Sequence, residues 1–479
     1  MVSDTIEKLS RLYESWCGVS PVSVMKLPGS GSYRSYYRIL GQKEPVIGVH
    51  NDDIRENIAF VSFTSHFLQS GIPVPRILAE QMENRIYLLS DLGDQTLYQL
   101  LTERRSTEEP FPDEVLSIYK EVIRWLPVFQ VKAGRHLDYS VCYPRAAFDH
   151  QSMMWDLNYF KYYFLKLAKI PFDEQALEDD FIRLTRFLME ADNDYFLFRD
   201  FQSRNIMVQQ GKPWFIDYQG GRKGALQYDI ASLLTDGKAD IPVQVRAELL
   251  ECYLDELGKV IPVDRNHFIR HYHGFALIRI LQALGAYGFR GYYENKPHFL
   301  RSIPFALRNL RYMREHHEIG FGLNCLMQVI DRMVDMPSFY QASTGKSKLT
   351  VTIHSFSYRK SIPADETDNG GGFVFDCRTL PNPGRFDEYK LLTGKDQAVA
   401  DFLRKETEVD EFIHHAFALV DQSIQKYSDR GFEHLMVSFG CTGGQHRSVY
   451  CAEELARYLR ERDQVAIKLT HDEQINHSL

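Results

Sequence analysis

Two short stretches decide the fold of the first part of this chain: FRDFQSRN at residues 198–205 and WFIDYQG at residues 214–220. They place Asp200 five residues before Asn205, and they end an apolar run with a second aspartate, Asp217. A Gly-Lys-Pro sequence between them predicts the turn of a tight hairpin. A loop aspartate can accept the proton of a hydroxyl group while an asparagine and a second aspartate hold magnesium against phosphates. We therefore expect Asp200 to be a catalytic base and Asn205 and Asp217 to be metal ligands.

Two further features fit this phosphoryl-transfer interpretation. Upstream, a turn of small residues precedes a predicted strand, and its backbone N–H groups are suited to cradle the phosphates of a nucleotide. The residues of this turn are Gly29, Ser30, Gly31 and Ser32. Downstream, Asp229 stands at the start of an apolar helical run, where we expect it to cap that helix or to anchor the catalytic loop.

The surrounding pattern changes twice along the chain. Residues 1 to about 98 mix strands with a helix: apolar runs at 47–49 and 86–89 predict strands, and helical spacing predicts a helix from Arg55 to Gln69. Residues from about 112 to 335 are predicted to be mostly helical. A polar segment at 337–348 is predicted to be a linker.

From residue 349 onward, strand and helix patterns alternate, which predicts a small α/β domain. The expected strands are 349–354, 373–376 and 435–439, and the expected helices are 399–425 and 448–462.

Composition limits the function classes. The 479 residues include 56 Lys and Arg against 64 Asp and Glu, a net charge of −8, so the chain has no overall basic surface for nucleic acid. No apolar stretch reaches the roughly 18–20 residues needed to span a bilayer. The polar N-terminal sequence lacks the apolar core of a signal peptide. Seven scattered cysteines without CxxC spacing favour reduced thiols. We expect a cytoplasmic protein without a membrane partner.

Residues 1 to about 330 resemble the aminoglycoside-phosphotransferase branch of the protein-kinase-like fold. Within that branch they are most similar to the anomeric sugar kinases that phosphorylate N-acetylmuramate and N-acetylglucosamine at the C1 hydroxyl. The matching pieces are SYRSYYR (32–38), GIPVP (71–75), YLLSDLG (87–93), RDFQSRN (199–205) and FIDYQ (215–219).

This resemblance implies an α+β protein-kinase-like (aminoglycoside phosphotransferase) fold over residues 1–336, with an N-lobe at about 1–92 and a C-lobe at about 93–336. It implies ATP and Mg²⁺ as cofactors, an amino-sugar substrate and a role in peptidoglycan recycling. It also implies that the backbone of Leu89, Ser90 and Asp91 forms the hinge that meets the adenine.

Two positions depart from the usual kinase pattern. Phe198 stands where a histidine usually precedes the Arg-Asp pair, and the predicted strand VIGVH at 46–50 carries no lysine for the α- and β-phosphates. The anomeric sugar kinases also lack this lysine, so its absence weighs against a protein kinase more than against a sugar kinase. Glu56 falls at the position of the helix glutamate, but without its lysine it is assigned no role. A protein that binds nucleotide without turnover stays an alternative.

The sequence HLMVSFGCTGGQHRS at 434–448 is the sharpest local signal in the chain. A strand feeds a Gly-rich turn that opens a helix, an arrangement that binds anions through N–H groups and the helix dipole. The spacing of Cys441, Arg447 and Ser448 also occurs in cysteine-dependent phosphatases, where a thiolate attacks a phosphoester. Those enzymes usually carry a histidine before the cysteine, where this chain has Gly440, and the one candidate acid here is Asp376.

Residues 349–479 resemble the C-terminal domain of the RapZ family of RNase adapter proteins. The shared stretches are HSFSY (354–358), FDCRTLPNP (375–383), LTGKD (392–396), GCTGGQHRS (440–448) and AEEL (452–455). In that family the domain binds glucosamine-6-phosphate and, in some members, small regulatory RNA. The resemblance implies a sugar-phosphate cradle made of Cys441, Thr442, Gly443, Gly444, His446, Arg447 and Ser448, with Arg378 as a second contact.

The expected protein is therefore an amino-sugar kinase joined to a regulatory domain that binds an amino-sugar phosphate. RNA is a disfavoured partner, because residues 348–479 contain 16 Lys and Arg against 21 Asp and Glu. The N-terminal P-loop module of the RapZ family is also replaced by a different kinase. The alternatives are a nucleotide-sensing RNA-binding adapter and a phosphatase that uses Cys441.

Overall fold

The chain divides into two compact units, Met1–Thr344 and Gly345–Leu479. The structure is a computed structural model. The residues it describes are 2–27, 34–106, 108–317, 322–340, 349–365, 372–429, 432, 434–462 and 465–473.

The first unit begins with a five-stranded antiparallel sheet in the order β1-β2-β3-β5-β4. Its strands are β1 (Ser23–Lys26), β2 (Ser35–Leu40), β3 (Val46–His50), β4 (Ile77–Gln81) and β5 (Ile86–Ser90). Helix α1 (Val2–Cys17) and helix α2 (Ile54–Gln69) accompany the sheet. At Gly48 of β3, a Cβ atom would lie 2.9 Å from the Leu9 side chain, so glycine allows α1 to approach the sheet.

The rest of the first unit is mostly helical, as the periodicity predicts. Its helices are α3 (Leu97–Arg104), α4 (Asp113–Pro127), α5 (His150–Phe160), α6 (Glu174–Leu188), α7 (Gln227–Leu234), α8 (Val243–Gly258), α9 (Arg265–Gly288), α10 (Ile303–His316) and α11 (Asn324–Val334). Four short strands interrupt them: β6 (Tyr195–Leu197), β7 (Ile206–Gln209), β8 (Lys212–Phe215) and β9 (Arg222–Gly224). Strands β7 and β8 form the predicted hairpin, and β6 pairs with β9. The α+β protein-kinase-like fold is confirmed.

A cluster of buried aromatic rings joins α2 to the helical part of this unit. The ring of Phe67 on α2 lies 4.9 Å from that of Phe129, 5.3 Å from that of Phe196 and 5.2 Å from that of Tyr218. Edge-to-face pairs of this kind stabilise a core beyond the apolar area they bury. Helix α2 is thereby fixed to the segments on either side of the loop at 198–205.

The second unit is a parallel sheet with helices, which confirms the small α/β domain. Its strands β10 (Thr350–Ser357), β11 (Phe373–Asp376), β12 (His434–Cys441) and β13 (Ala466–His471) lie in the order β11-β12-β10-β13. Its helices are α12 (Gln397–Arg404), α13 (Thr407–Asp429) and α14 (Arg447–Arg462).

The single helix predicted at 399–425 is wrong, because the structure has the two helices α12 and α13 there. Helix α12 ends at Arg404, and helix α13 begins at Thr407 with Glu408 and Asp410 in its first turn. Acidic residues in a first turn favour a helix start through the helix dipole. The start of α13 at this position places Val409 in the core, where it is fully buried.

The predicted linker at 337–348 begins inside the first unit. Phe339 is buried, and its ring stacks on Phe164 at 5.5 Å. Residues 341–348 lie outside the described residues. Among the helices that the structure describes, none is both long and apolar enough to cross a membrane.

We expect Phe67→Ala to lower the free energy of unfolding of the first unit by about 3–5 kcal/mol, because it empties a fully buried aromatic site. The matched control is Ile58→Ala on the same helix, whose side chain is 44% exposed. That change is expected to cost less than about 1 kcal/mol. All four tryptophans precede residue 215, so tryptophan fluorescence during denaturant unfolding reports on the first unit. Equal losses in the two variants would contradict the packing described here.

Candidate functional site

Asn205 brings the three predicted phosphoryl-transfer residues together. Its Nδ2 group donates hydrogen bonds to the backbone oxygen of Asp200 at 2.9 Å and to Oδ2 of Asp217 at 3.1 Å. The β7–β8 hairpin explains why Asn205 and Asp217 lie close together, because Asn205 directly precedes β7 and Asp217 follows β8 by two residues. The backbone of Asp217 has φ of +71°, a left-handed conformation that turns the chain after the strand.

The electrostatics of Asp217 suit a bound cation. Burial raises the pKa of this carboxyl group, and the negative charge of Asp200 raises it further. A hydrogen bond from Gln219 Nε2 to Asp217 Oδ1, at 2.7 Å, acts in the opposite direction. A divalent cation would relieve the repulsion between the two carboxylates, and Asn205 and Asp217 offer the oxygen ligands that Mg²⁺ prefers.

A fully buried carboxylate holds the catalytic loop, as the sequence analysis predicts for Asp229. It accepts the backbone N–H of Phe198 at 2.8 Å and that of Arg199 at 3.0 Å. Gln130 donates a third hydrogen bond at 3.2 Å. Burial raises the pKa of Asp229 to about 7, and these three donors act against that rise. The loop is therefore tied to α7 at the two residues that precede Asp200.

Arg199 braces the same loop from its other side. Its guanidinium group donates to Asp156 at 2.6 Å and to the Tyr228 hydroxyl at 2.7 Å, and it lies 4.7 Å from the centre of the Phe148 ring. The backbone of Arg199 has φ of +83°, which an arginine adopts only when its surroundings impose it. Phe198, at the usual histidine position, is buried among aromatic rings.

Tyr218, the residue after the predicted metal ligand, connects the site to α2. Its ring stacks on Phe60 at 5.2 Å with an interplanar angle of 2°. Its hydroxyl oxygen lies 2.6 Å from Oγ1 of Thr64. Because both partners are on α2, the position of Asp217 is coupled to the position of that helix.

Arg34, a residue with no role expected from the sequence, lies against Glu56 of α2. Arg34 Nη2 donates to Oε2 of Glu56 at 3.1 Å, and Asn51 Nδ2 donates to the same oxygen at 2.9 Å. The Arg34 side chain is 2% exposed. The one signal available in the sequence was that an arginine immediately precedes the predicted strand β2.

A second arginine with no role expected from the sequence, Arg279, lies beside the predicted base Asp200. Arg279 Nη2 is 3.9 Å from Oδ1 of Asp200, and its Nε donates to Ser232 at 3.0 Å. Helix α9 has apolar residues on every side, so its sequence gives no sign that Arg279 faces a site. A small cavity next to this pair is lined by Gln202, Ser232, Asp236, Arg279 and Tyr287, among others.

The predicted hinge residues Leu89, Ser90 and Asp91 lie at the end of β5. Arg38 donates to both carboxylate oxygens of Asp91, at 2.6 and 3.1 Å, and Ser90 exchanges hydrogen bonds with the backbone of Arg76. These contacts fix the end of the strand. The predicted phosphate turn of Gly29, Ser30, Gly31 and Ser32 lies outside the described residues.

In the second unit, the predicted sugar-phosphate residues gather at the carboxyl edge of the sheet. Strands β10, β11, β12 and β13 end at Ser357, Asp376, Cys441 and His471, and all paired neighbours are parallel. Ligands of open parallel sheets bind at this edge. The Gly-rich loop leaves it from the end of β12 and leads into α14.

Several side chains of the Gly-rich loop bond to other parts of the protein. Cys441 Sγ lies 3.1 Å from Oγ of Ser448, and His446 Nε2 lies 2.8 Å from the backbone oxygen of Tyr389. These side chains are buried, whereas Thr442 and Gly443 are exposed. The exposed part of the loop is therefore Thr442 together with Gly443, which offers only main chain to solvent.

Arg447 is buried and bonds to the protein. Its Nη1 donates to the backbone oxygens of Arg378 and Leu380 at 2.8 and 2.9 Å. The Arg378 side chain is half exposed, pairs with Asp376 at 2.6 Å and lies 4.1 Å from the centre of the Tyr358 ring. The hydrogen bond from Arg378 lowers the pKa of Asp376. A carboxyl group held ionised in this way is a poor proton donor, which weighs against the phosphatase alternative.

Curated relatives and solved structures resemble parts of this chain. A nucleotide-binding protein of Fervidobacterium nodosum is 36% identical over 178 residues, which are 35% of this chain and 61% of that protein. A nucleotide-binding protein of Xanthomonas campestris is 38% identical over 130 residues, which are 27% of this chain and 44% of that protein. This chain thus spans less than two thirds of the length of either relative.

Among solved structures, the choline kinase LicA from Streptococcus pneumoniae is 15% identical with a TM-score of 0.43, over 70% of this chain and 100% of that one. Choline kinase from Cryptosporidium parvum is 12% identical with a TM-score of 0.46, over 69% and 100%. Amicoumacin kinase, in complex with AMP-PNP and Ca²⁺, is 11% identical with a TM-score of 0.42, over 65% and 88%. At these scores the similarity says nothing about a substrate.

We expect Asp229→Asn to lower the free energy of unfolding of the first unit by about 1–3 kcal/mol, because an amide group turns a donor toward buried N–H groups. Amide hydrogen exchange at Phe198 and Arg199 should accelerate in this variant. Asp264→Asn is the matched control, because exposed Asp264 caps α9 and asparagine caps a helix equally well. Unchanged exchange at the two loop amides would contradict the anchoring role.

Two family models match the chain, one in each unit. Residues 25–263 match the phosphotransferase enzyme family, and this range includes Asp200, Asn205, Asp217 and Asp229. Residues 349–474 match the RapZ C-terminal domain, and this range includes the Gly-rich loop. The chain therefore joins a region that matches the phosphotransferase enzyme family to a region that matches the RapZ C-terminal domain.

Proposed function

We propose that this protein is a cytoplasmic, ATP- and Mg²⁺-dependent kinase of an amino sugar, and that its second unit binds an amino-sugar phosphate and regulates the first. The observation that carries the proposal is the hydrogen bonding of Asn205 to both Asp200 and Asp217. A loop aspartate, an asparagine and a second aspartate in this arrangement are the parts that phosphoryl transfer to a hydroxyl requires.

Each of these residues has a distinct task. The carboxylate of Asp200 is 46% exposed, so a substrate hydroxyl can reach it and give up its proton. Asn205 and Asp217 hold Mg²⁺. When bound, ATP and the metal supply the phosphoryl group and neutralise its charge. Arg279 lies near Asp200 and orients its carboxylate, while Asp229 and Arg199 keep the loop in position.

The choice of an amino sugar rests on the motifs shared with the anomeric sugar kinases. Those enzymes act on N-acetylmuramate and N-acetylglucosamine, and they too lack the strand lysine. Phosphorylation of such a sugar at C1 would place this chain in peptidoglycan recycling.

We expect ATP consumption to depend on one of N-acetylmuramate, N-acetylglucosamine or glucosamine, and Asp200→Asn to lower kcat by about 10²–10⁴-fold, because the general base is lost. Asp113→Asn, an exposed carboxylate at the start of α4, is the control and should retain full activity. The measurement is a coupled ATPase assay with each sugar, followed by identification of the product. ATP binding without turnover on any sugar would favour the nucleotide-sensing alternative.

The regulatory part of the proposal rests on the Gly-rich loop at the carboxyl edge of the second sheet. Thr442 and Gly443 are exposed in the loop that leads into α14, and N–H groups that precede a helix attract a phosphate. Half-exposed Arg378 beside Tyr358 offers a cation and a ring face for the sugar. Because sugar and phosphate recognition lie together, glucosamine-6-phosphate is the proposed ligand.

Gly444 has φ of +67°, and a Cβ atom there would lie 2.3 Å from the Glu473 side chain. We expect Gly444→Ala to weaken glucosamine-6-phosphate binding by the full-length chain about tenfold or more, because the added methyl group distorts the loop. Gly322→Ala is the control, since Gly322 has the same φ but open space around it and lies in the first unit. Isothermal titration measures both. Salt-sensitive RNA binding without sugar-phosphate binding would favour the adapter alternative instead.

A further inference from the structure

A buried cation, Arg34, lies next to the end of β3, a strand that itself carries no lysine. Strand β3 reads Val-Ile-Gly-Val-His and offers no lysine to the nucleotide phosphates. In the strand register, Ser35 of β2 pairs with His50 of β3. Arg34, one residue earlier, is therefore opposite the end of β3, next to the residues that lead into α2.

Glu56 and Phe60 lie against the Arg34 side chain at this position. Its Nη2 group donates to Glu56 of α2, and Asn51 donates to the same carboxylate oxygen. Asn51 is itself fixed, because Asn57 Nδ2 donates to its backbone oxygen at 2.9 Å. The guanidinium group also lies 5.7 Å from the centre of the Phe60 ring, the ring on which Tyr218 stacks.

Aromatic stacking connects Arg34 to the segment that carries the predicted metal ligand. The Phe60 ring beside the guanidinium group stacks on Tyr218, which directly follows Asp217. Burial opposes the charge of Arg34, but neighbouring side chains, Tyr87 and Glu56 among them, raise the pKa of the guanidinium group. The cation is thus held beside the helix glutamate, one aromatic ring away from the segment of Asp217.

We propose that Arg34 is the residue that binds the phosphates of the nucleotide, in place of a lysine on β3. This inference rests on the proposed kinase function and adds a binding residue to it. An arginine presents planar, permanently charged donors that match phosphate oxygens. Glu56 on α2 is thereby paired with Arg34 instead of with a lysine on β3.

The test compares the binding of ATP with that of adenosine, which lacks phosphates, by equilibrium titration of the full-length protein. We expect Arg34→Met to weaken ATP binding by about 10-fold to 100-fold and to leave adenosine binding within about twofold, because adenosine has no phosphates for Arg34 to contact. Arg34→Lys keeps the charge but not the fork, so it should lose less ATP affinity than Arg34→Met. Arg55→Met is the matched control on α2, where Arg55 is 67% exposed, and it should leave both affinities unchanged.

The outcomes separate this inference from the proposed function. Wild-type protein that binds no ATP would overturn both. Wild-type protein that binds ATP, with an Arg34→Met variant that binds it equally well, would overturn the inference alone. A parallel loss of ATP and adenosine binding would show that Arg34 only supports the cleft, and this too would overturn it. If Arg34→Met does not fold, Arg34→Lys decides by the same ratio of ATP to adenosine affinity.

Discussion

The amide group of Asn205 is the interaction on which the geometry of the first unit depends. One NH₂ group binds the backbone of the catalytic loop and the carboxylate that follows the β7–β8 hairpin. The distance between these two segments is thereby set by a side chain with two fixed donors. From there the constraint passes through Tyr218 to α2, and through Glu56 to Arg34. A short series of single contacts therefore connects the hairpin to α2, and α2 to Arg34 just before strand β2.

The two units position their candidate loops in different ways. In the first, buried side chains such as Asp229 and Arg199 fix the loop that carries Asp200. In the second, the side chains of Cys441, His446 and Arg447 are turned inward and stabilise a loop in which Thr442 and Gly443 are exposed. The inward position of Arg447 is a difference from the cradle expected from the sequence, in which this residue adds its charge to the ligand.

The sequence predicted the parts of the structure that local patterns encode. The strands at 47–49, 86–89 and 373–376 and the helix from Arg55 have the expected period and boundaries. The edge strands β1 and β4 were missed, because Ser-Val-Met-Lys and Ile-Leu-Ala-Glu-Gln are short and only half-buried, without clear alternation. The break between α12 and α13 was missed because it contains neither glycine nor proline.

The candidate site shows the same division. Asp200, Asn205, Asp217 and Asp229 could be found because their spacing within one segment of chain carries the chemistry. Arg34 and Arg279 could not, because each reaches the site from an element distant in sequence, and an arginine in a strand flank or in a long helix is ordinarily a surface residue.

The pairing of Ser35 with His50 has a consequence for how the first unit tolerates change. Side chains alternate between the two faces of a strand, so a one-residue insertion or deletion between Arg34 and Ile39 would change the face of one of them relative to the other. The strand could then keep Ile39 in the core only by displacing Arg34 from Glu56, or keep Arg34 in place only by turning Ile39 out of the core. The packing of this strand and the position of Arg34 therefore depend on the same register.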